Sequence, residues 1–537
     1  MNNWQEFKSI ILDKRILCDL EMIMNGGFAP LNGFLNESDY NGVVENMRLC
    51  NGSLWTIPIV LPIKEEEAFL GDKIILRDET LYPLAIMEIE SLWKPDLRRE
   101  CIKCYGSDDD NHPFVKIVME REGMLYAGGK ITKVNDVLHY DFKEFRKNAK
   151  EVREMLKGYD KVLGFQTRNP MHRSHYELTK YAMRVSGEGT RLLLNPVVGI
   201  TQDCDVDYGL RVRCYKKLMK YYGDEADLVL LPLSMRMAGP REAVWHAQIR
   251  KNFGCTHFVV GRDHAGPSYK KKDGKDFYGP YDAHELVEKI SDEIGITVIM
   301  STMIVYVKEL CEYRKIDEVP EGMTVLNISG TEQRRMLRAG EEIPEWFSFP
   351  EIINELKKDF NREKGLCVYF IGLSGSGKST VAEALRGSMI ENDGREITIL
   401  DGDIVRRELS KGLGFDRESR STNVRRIGYV ASEIVKHGGI VFCANIAPYE
   451  EDRRINRERI IGLGGKYIEV YVKTSIEDCE KRDIKGLYKL AREGKIKEFT
   501  GISDPFEEPN NSDIVIDGGN NVSLSKNIEK IMNLIKM

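Results

Sequence analysis

Three patterns of apolar and polar positions follow one another along the chain. Residues 1 to about 145 read as short apolar runs, such as SLWTIPIVLPI and KIILRDETLYPLAIMEIE, separated by Gly, Asp and Pro turns. They predict a β-rich domain. From 146 to about 325, helix-like segments (EFRKNAKEVREMLKGY, HYELTKYAMRVS, DYGLRVRCYKKLMKYYG) alternate with short apolar runs (VLGFQ, RLLLNPVVG, ADLVLLPL, THFVVG, ITVIM). That alternation predicts a parallel sheet with crossover helices, whose ligands bind where strands end and helices begin. From about 361 to 537 the pattern is again strand and helix, and it opens on LCVYFIGLSGSGKST, Leu366–Thr380.

This last stretch carries the strongest chemical signal. Gly372, Gly377, Lys378 and Ser379 fit G-x-x-x-x-G-K-[ST], between an apolar strand and a helix-like VAEALRGSMI. The backbone from Gly372 through Ser374, Gly375, Ser376 and Gly377 to Thr380 is predicted to close around a polyphosphate, with the helix N-terminus aimed at the same anion. Lys378 is expected to reach the outer phosphates, and the Ser379 hydroxyl to ligate the Mg²⁺ that accompanies ATP. Asp401 and Asp403, in DGDIVRREL after the strand EITIL, suit Mg²⁺ binding and activation of an acceptor hydroxyl. The arginines of GFDRESRSTNVRRIG fit either a doubly anionic substrate or a solvated basic helix. The basic segment Lys481–Pro509 is a candidate lid.

Composition limits the rest. At 537 residues the chain exceeds what one core supports, and its formal net charge of -6 argues against bulk nucleic-acid binding. Eleven scattered cysteines suit reduced thiols in a cytoplasmic protein. Cys101 and Cys104 form a lone CxxC, read as ordinary thiols before a zinc or redox pair. The N-terminus has no signal-peptide core, and the longest apolar run, near Ile296–Val307, is too short to span a bilayer.

Three polar clusters lie at strand ends in the middle third. GFQTRNPMHRSH places Gln166, Thr167, Arg168, Asn169, His172, Arg173 and His175 after a strand, and suits an anion with several oxygens; a His-x-x-His zinc pair is the rival. MRMAGPREAVWHAQIRKN, Met235–Asn252, reads as a mobile loop over a phosphate site or as a solvated basic turn. VVGRDHAGP puts Arg262, Asp263 and His264 at a strand's C-terminal end, behind Gly261, which permits close approach of backbone. SDDDNHPF, Ser107–Phe114, is a solvated loop or, less simply, a metal site.

Together the three clusters resemble the ATP sulfurylase (sulfate adenylyltransferase) family. The resemblance runs over residues 1 to about 355, through MNGGFAPLNGFL, DDDNHPFVK and ISGTEQRRMLRAGEEIPEWFSFPE. It implies a PUA-like N-terminal domain (1–145), a Rossmann-like nucleotidyltransferase domain (146–325) and a small closing part with linker (326–360). QTRNPxHRxH is related in that family to the nucleotidyltransferase HxGH signature. The resemblance implies that His172 and His175 hold ATP phosphates, with Asn169 on the leaving pyrophosphate. It places sulfate on Gln166, Arg168, Arg262 and the Ala265 backbone, and His264 near the nucleotide. Residues 361–537 resemble adenylyl-sulfate kinase, a P-loop fold. That implies Asp401 or Asp403 near the 3′-hydroxyl of adenylyl sulfate, and Arg406, Arg420, Asn423 and Lys485 on its anionic groups. It implies an adenine sandwich between Phe415 and Phe499, with Ile446 lining the pocket.

The chain departs from both patterns in places. Asn195 stands where the sulfurylase family usually has His, and Gln202–Cys204 where it has Lys-Pro-Gly. KKKDGKDFYGPYDAHEL lacks the cysteines of a zinc site found in some members, so no zinc is expected. In the kinase part Ser419 precedes Arg420 in place of Asp, and Ala447 replaces the serine of a Ser-Pro-Tyr turn. The expectation is a bifunctional sulfate-activating enzyme acting on ATP, sulfate and adenylyl sulfate, with Mg²⁺ but without nucleic acid or membrane, and a homo-oligomer, dimer or larger. Three alternatives stand beside it, one of them a nucleotide-binding regulatory module that is not an enzyme. The C-terminal domain is a non-catalytic allosteric sensor, as in fungal enzymes that share the domain order but have degenerate P-loops. Or the sulfurylase runs in reverse to make ATP.

Overall fold

The computed structural model describes residues 7–67, 69–202, 205–301, 303–358, 365–392, 394–483, 485–519 and 523–536. Two compact units result: Met1–Leu138 with Glu144–Lys357, and His139–Lys143 with Lys358–Met537. The expected boundary at 360/361 and two of the departures, Asp203 and Cys204, lie outside the described residues.

The first unit opens with a seven-stranded sheet. Strands Lys8–Ile11, Lys73–Arg77, Pro83–Glu88, Leu125–Lys133 and Gly33–Phe34 lie in that order, and Leu61–Ile63 and Ser91–Trp93 also pair with Leu125–Lys133. Gly128 and Gly129 let neighbouring backbone cross this long strand: a Cβ would stand 2.1 Å from the Leu35 carbonyl oxygen and 2.0 Å from that of Glu88. Four helices, Lys14–Met24, Glu37–Asn46, Leu97–Tyr105 and Pro113–Met119, accompany the strands. The strand-like reading of this region did not anticipate them. Each carries its own start signal, namely Asp13, Asn36, Asp96 and His112 accepting from first-turn amides. His112 is therefore neither solvated nor a metal ligand. It is fully buried, its Nδ1 caps the helix, and its Nε2 lies 2.9 Å from the Met237 carbonyl. Cys101 and Cys104 are free thiols buried in the third of these helices.

The second layer is a five-stranded parallel sheet in the order Ala226–Leu228, Arg191–Leu194, Val162–Phe165, His257–Val260, Thr297–Met300. Both faces are covered, so its central strands read as unbroken apolar runs. In chain order the strands lie 3-2-1-4-5. The direction of winding reverses between Val162–Phe165 and His257–Val260, which is where such sheets open a crevice. Gly164 is required there, because a Cβ would meet Arg250 Cγ at 2.9 Å and Cys255 Sγ at 3.0 Å. A three-stranded antiparallel sheet (Ile304–Val307, Glu312–Lys315, Val325–Leu326) and helices Gly330–Ala339 and Pro350–Lys358 complete the unit.

The second unit is built on a parallel sheet in the order Ile397–Asp401, Ile440–Ala444, Leu366–Ile371, Lys466–Lys473, Ile514–Asp517. Alternate residues of the central strand enter two cores. Val368 and Phe370 pack with Leu385, Met389, Ile528 and Ile531; Cys367, Tyr369 and Ile371 pack with Val424, Ile427 and Ile460. Each such buried side chain contributes ~1.5–3 kcal/mol. Tyr140, from the short segment that belongs to this unit, packs on the first core.

Candidate active sites

In the first unit the polar clusters converge on the crevice. Strand Val162–Phe165 ends at Gln166, Thr167 and Arg168, and helix Arg173–Ser186 starts with His172 as its N-cap. The Thr167 hydroxyl donates to the Asn169 carbonyl at 3.0 Å, which also accepts from the Tyr215 hydroxyl at 2.6 Å. Arg211 Nη1 donates to the Arg168 carbonyl at 2.6 Å. This turn is thus held from behind by its backbone, leaving Asn169 exposed. Arg168 reaches across to the Gly266 carbonyl at 3.4 Å, beside Ala265 and Arg262. The loop after His257–Val260 is sharply bent, with Asp263 and Ala265 at φ 52° and 57°. Two non-glycine residues in the left-handed region so close together mark a strained functional loop.

The histidines here are neutral. His172 is buried against the Phe347 ring, with Nδ1 2.8 Å from Ser348 Oγ. Burial, with His175 beside it, pushes its pKa down to about 3, and burial pushes His175 down to about 4. His264 is driven well below its ordinary value by burial and by the neighbouring His246, Arg250, His284 and Arg168. His246 Nδ1 lies 3.0 Å from His264 Nε2, and His246 Nε2 lies 3.2 Å from Glu242 Oε1. Burial works to raise the Glu242 carboxyl, yet His246 and the amides of Arg236 and Ala238 hold it below its ordinary value. Gln166 Nε2 lies 3.4 Å from His246 Nε2. Sequence reasoning missed Glu242 and His246, although their i,i+4 spacing on one helix face was visible in MRMAGPREAVWHAQ.

That second cluster is not a solvated turn. Met235–Gly239 is buried, and Arg236 is ion-paired to Asp19 at 2.5 Å. Arg241 donates to the carbonyls of Val43 and Val44. Its arginines are committed to protein partners because a guanidinium without them is costly to bury. Asn195 is fully buried, its Nδ2 donating to the Val229 carbonyl at 2.6 Å, and Gln202 binds the Ser268 amide and hydroxyl. At these two departures the family's usual basic side chains are replaced by neutral groups tied into the fold.

In the second unit the loop Gly372–Gly377 is held from outside. The Tyr488 hydroxyl donates to the Ser374 carbonyl at 2.8 Å, Arg482 Nη1 to Gly375 at 3.3 Å, and the Thr474 hydroxyl to Ser376 at 3.0 Å. Gly372, Gly375 and Gly377 all have positive φ. Lys378 is buried and folds back on its own loop, donating to the Leu373 carbonyl at 2.6 Å. Burial, with Lys485 nearby, lowers it to about 8. The Ser379 hydroxyl donates to Asp401 Oδ2 at 2.5 Å, Asp401 Oδ1 accepts from the Asp403 amide, and Lys485 pairs with Asp403. The structure thus joins four of the predicted residues, Ser379, Asp401, Asp403 and Lys485, in one chain. Ser379 and Asp401 present hard oxygens of the kind a Mg²⁺ ion takes, and Thr380 lies exposed beside them. Among the described residues no group of three or more His, Cys, Asp or Glu side chains is placed to hold a metal ion on its own.

Arg420 is buried in helix Arg417–Lys436, whereas Arg417, Arg425 and Arg426 lie exposed on it, so the solvated reading holds for three of the four arginines and fails for Arg420. The Arg420 guanidinium donates to the Phe415 carbonyl at 2.6 Å, the Glu498 carbonyl at 3.0 Å, Thr500 Oγ1 at 2.7 Å and Asp504 at 2.6 Å. It draws the turns bearing Phe415 and Phe499 to one point. Phe415 is 61% exposed, with Arg406 over its ring at 4.4 Å, and Phe499 sits edge-on to Tyr488. Asn423 is buried with Oδ1 unpartnered, and Ile446 is half-buried after strand Ile440–Ala444. Tyr488, Arg482, Thr474 and Asp504 were not foreseen. They sit in segments whose sequence gives no sign of their loop contacts.

Comparison with known proteins agrees with this division. Residues 1–136 match the PUA-like domain, 143–359 ATP-sulfurylase and 364–517 adenylylsulphate kinase. The chain is 47% identical to a sulfate adenylyltransferase of Gibberella zeae over 524 residues, covering 96% of this chain and 91% of the relative. It is 46% identical to one of Neurospora crassa over 520 residues, covering 95% and 90%. Among solved structures it is similar to a hexameric APS kinase from Thiobacillus denitrificans, with a TM-score of 0.57 and 31% identity over 99% of this chain and 94% of the other. No helix among the described residues is long and apolar enough to cross a membrane. The chain therefore belongs to the sulfate adenylyltransferase (ATP-sulfurylase) family and carries an adenylylsulphate kinase domain behind its sulfurylase domain.

Proposed function

We propose that the protein activates sulfate in two steps. In the first unit a sulfate oxygen attacks the α-phosphorus of MgATP, giving adenylyl sulfate and pyrophosphate. Sulfate is already an anion, so no base is needed. The work is positioning and stabilisation of charge on the phosphorus centre and the leaving pyrophosphate. Gln166, Arg168, Arg262 and the Ala265 backbone hold sulfate; His172 and His175 hold the ATP phosphates, with Asn169 on the pyrophosphate. In the second unit adenylyl sulfate takes a phosphoryl group on its 3′-hydroxyl. Lys378 and the loop amides hold the donor phosphates, Ser379 and Asp401 its Mg²⁺, and Asp403 or Asp401 orients the hydroxyl. Arg406, Asn423 and Lys485 face the substrate's anionic groups, while Phe415, Phe499 and Ile446 enclose its adenine. Arg420 acts here mainly by holding those walls.

The observation that carries the reading is the convergence of Gln166, Arg168 and the Gly261–Gly266 loop at the switch point of the parallel sheet. Adenylyl sulfate formation is uphill because the phosphosulfate anhydride is costly, and a kinase that consumes it draws the reaction forward. Incubation with MgATP, labelled sulfate and pyrophosphatase tests both steps. Label in 3′-phosphoadenylyl sulfate is the expected result; no labelled nucleotide would overturn the sulfurylase reading.

A second reading has one observation behind it. The fungal relatives that match nearly the whole chain bear the name of the first activity alone. On this reading the C-terminal domain is a silent sensor, and label stops at adenylyl sulfate. The intact Lys378–Ser379–Asp401 set favours the kinase. Synthesis in place of ATP formation is favoured by the same set. By chemistry and by its free thiols the protein suits the cytoplasm, and the hexameric neighbour supports a homo-oligomer.

A further inference from the structure

Glu242, His246 and His264 form a line of hydrogen bonds that nothing in the two proposed steps explains. We propose that Glu242 and His246 are positioning residues that fix the polarity of this line, so that Gln166 turns its amide NH₂, and not its carbonyl oxygen, toward the oxyanion. The inference rests on the sulfurylase reading of the first unit. It deepens that reading by giving a reason why the site takes sulfate and refuses hydrogen phosphate.

The polarity follows from the two ends. At one end Glu242 is fully buried, with Oε1 accepting the Arg236 amide at 3.0 Å and Oε2 accepting the Ala238 amide at 2.8 Å. An ionised carboxylate only accepts. His246 Nε2, 3.2 Å from Glu242 Oε1, must therefore carry the proton. A neutral imidazole has one N–H, so His246 Nδ1 is bare and accepts. His264 Nε2 faces it at 3.0 Å and must be the donor. His264 Nδ1 is then bare, and the Gly261 amide, which can only donate, points at it from 3.4 Å. An obligate acceptor at one end and an obligate donor at the other leave a single arrangement.

Gln166 reads this arrangement. Its amide lies 3.4 Å from His246 Nε2, which carries the proton shared with Glu242 and so has no lone pair to offer. Only the carbonyl oxygen suits that neighbour, whereas a second N–H would oppose it. The oxygen and nitrogen of an amide exchange places without changing its shape. In the exchanged orientation the buried position now without a partner becomes a donor. With Arg168 and Arg262 the side chains proposed to touch sulfate are then donors alone, the acceptors nearby at Gly266 and Asp205 being turned to Arg168. Sulfate, fully deprotonated near neutral pH, has only acceptors. Hydrogen phosphate carries an O–H that would need an acceptor and find none. A site rejects a ligand whose polar group it leaves unpaired far better than it rejects one of the wrong size.

The test uses the full-length protein. In His246→Leu the KM for sulfate should rise roughly tenfold, the loss of one hydrogen bond to a charged ligand. The KM for MgATP should hold. The ratio between the inhibition constant of inorganic phosphate and the KM of sulfate should shrink by about the same factor. His246→Gln keeps a donor where Nε2 stood and should restore most of the preference. Equal rises in both KM values, or an unchanged sulfate-to-phosphate preference in His246→Leu, would overturn the proposal. An unchanged KM for MgATP in the adenylyl sulfate step reports that the first unit of the variant, which holds His246, has folded. If His246→Leu does not fold, nitrogen-15 spectra of histidine-labelled wild type decide: His246 and His264 should both be Nε2–H tautomers, and an Nδ1–H tautomer at His246 refutes the scheme. Failure of the sulfurylase reading looks different, because the wild type itself then makes no adenylyl sulfate whatever its tautomers.

Discussion

On the proposed function the two units meet related polyphosphates by opposite means. In the first, buried histidines stripped of charge lie at a strained crevice, and Arg168 and Arg262 supply the positive charge. Several of its polar groups, His172, His246, His264 and Arg168, are held by protein partners. In the second, the central group is a buried lysine resting on its own loop at Leu373, beside the chain Ser379–Asp401, Asp403–Lys485. That site must rearrange to work, since Lys378 has to leave one carbonyl before it can meet a phosphate. One site is preorganised dipoles, the other a stored charge. Preorganisation suits a reaction in which charge shifts from sulfate to pyrophosphate without a proton changing hands. A movable charge suits phosphoryl transfer, in which a lid segment brings the last contacts into place.

The largest separation between the sites should come from removing the stored charge. Lys378→Ala is expected to lower the kinase step about a thousandfold, the upper end for loss of one preorganised donor. Adenylyl sulfate would then accumulate in the labelled-sulfate assay at an undiminished initial rate. Equal loss of both steps would show that the sites are not independent. The reciprocal change, His172→Ala, should lower adenylyl sulfate formation about a hundredfold, because a neutral donor supplies less than a cation. Kinase activity on added adenylyl sulfate should stay at the wild-type level. A loss at His172 as large as that at Lys378 would break the contrast.

How far each site could be read from the sequence follows the same contrast. The glycine loop, Lys378 and Ser379 were legible because the chemistry occupies consecutive positions. Asp401 was legible because it ends a strand, and Asp403 because it follows two residues on, in the first turn of the next helix. The crevice of the first unit was legible in pieces, as polar clusters at strand ends, since parallel sheets bind ligands there. What holds those pieces was not. In the Glu242–His246–His264 line the first step is a local i,i+4 pair, but the step from helix to loop at His264 is a tertiary contact. His112 looked like part of a solvated acidic turn because its neighbours are turn formers, yet its side chain caps a helix inside the core. Arg236 and Arg420 looked like free cations; burial beside Asp19 and Asp504 gives them structural partners. Charge type is visible in a sequence, but its partner, far along the chain, is not.

A smaller effect should separate recognition from chemistry within the second unit. Phe415 is exposed and rigidly backed by Arg406 and Arg420. If it stacks on adenine, Phe415→Ala removes one face of that stack, typically ~1–3 kcal/mol. The KM for adenylyl sulfate should rise about tenfold or somewhat more, with kcat changed far less. Steady-state kinetics with added adenylyl sulfate checks this. A fall in kcat at constant KM would place Phe415 in the chemical step and not in binding.

The mildest test of the contrast is pH. In the ligand-free protein burial lowers Lys378 to about 8, so the ammonium is present below that pH and is lost as pH rises through it. The kcat/KM for MgATP in the kinase step reports groups of the free enzyme. It should therefore be level from pH 6 to 7 and fall about fourfold by pH 8.5, following one ionisation. His172 and His175 are shifted in the same direction but lie lower: at about 3 and about 4, they are already neutral throughout this range and do not titrate in it. Sulfurylase kcat/KM for MgATP should be flat from pH 6 to 8.5 when measured in the same preparation. A sulfurylase profile that falls with an apparent pKa near 6.5 would mean that a histidine works as the cation. That result would remove the distinction between preset dipoles and stored charge, whereas a flat profile beside a falling one assigns each site its own way of meeting an anion.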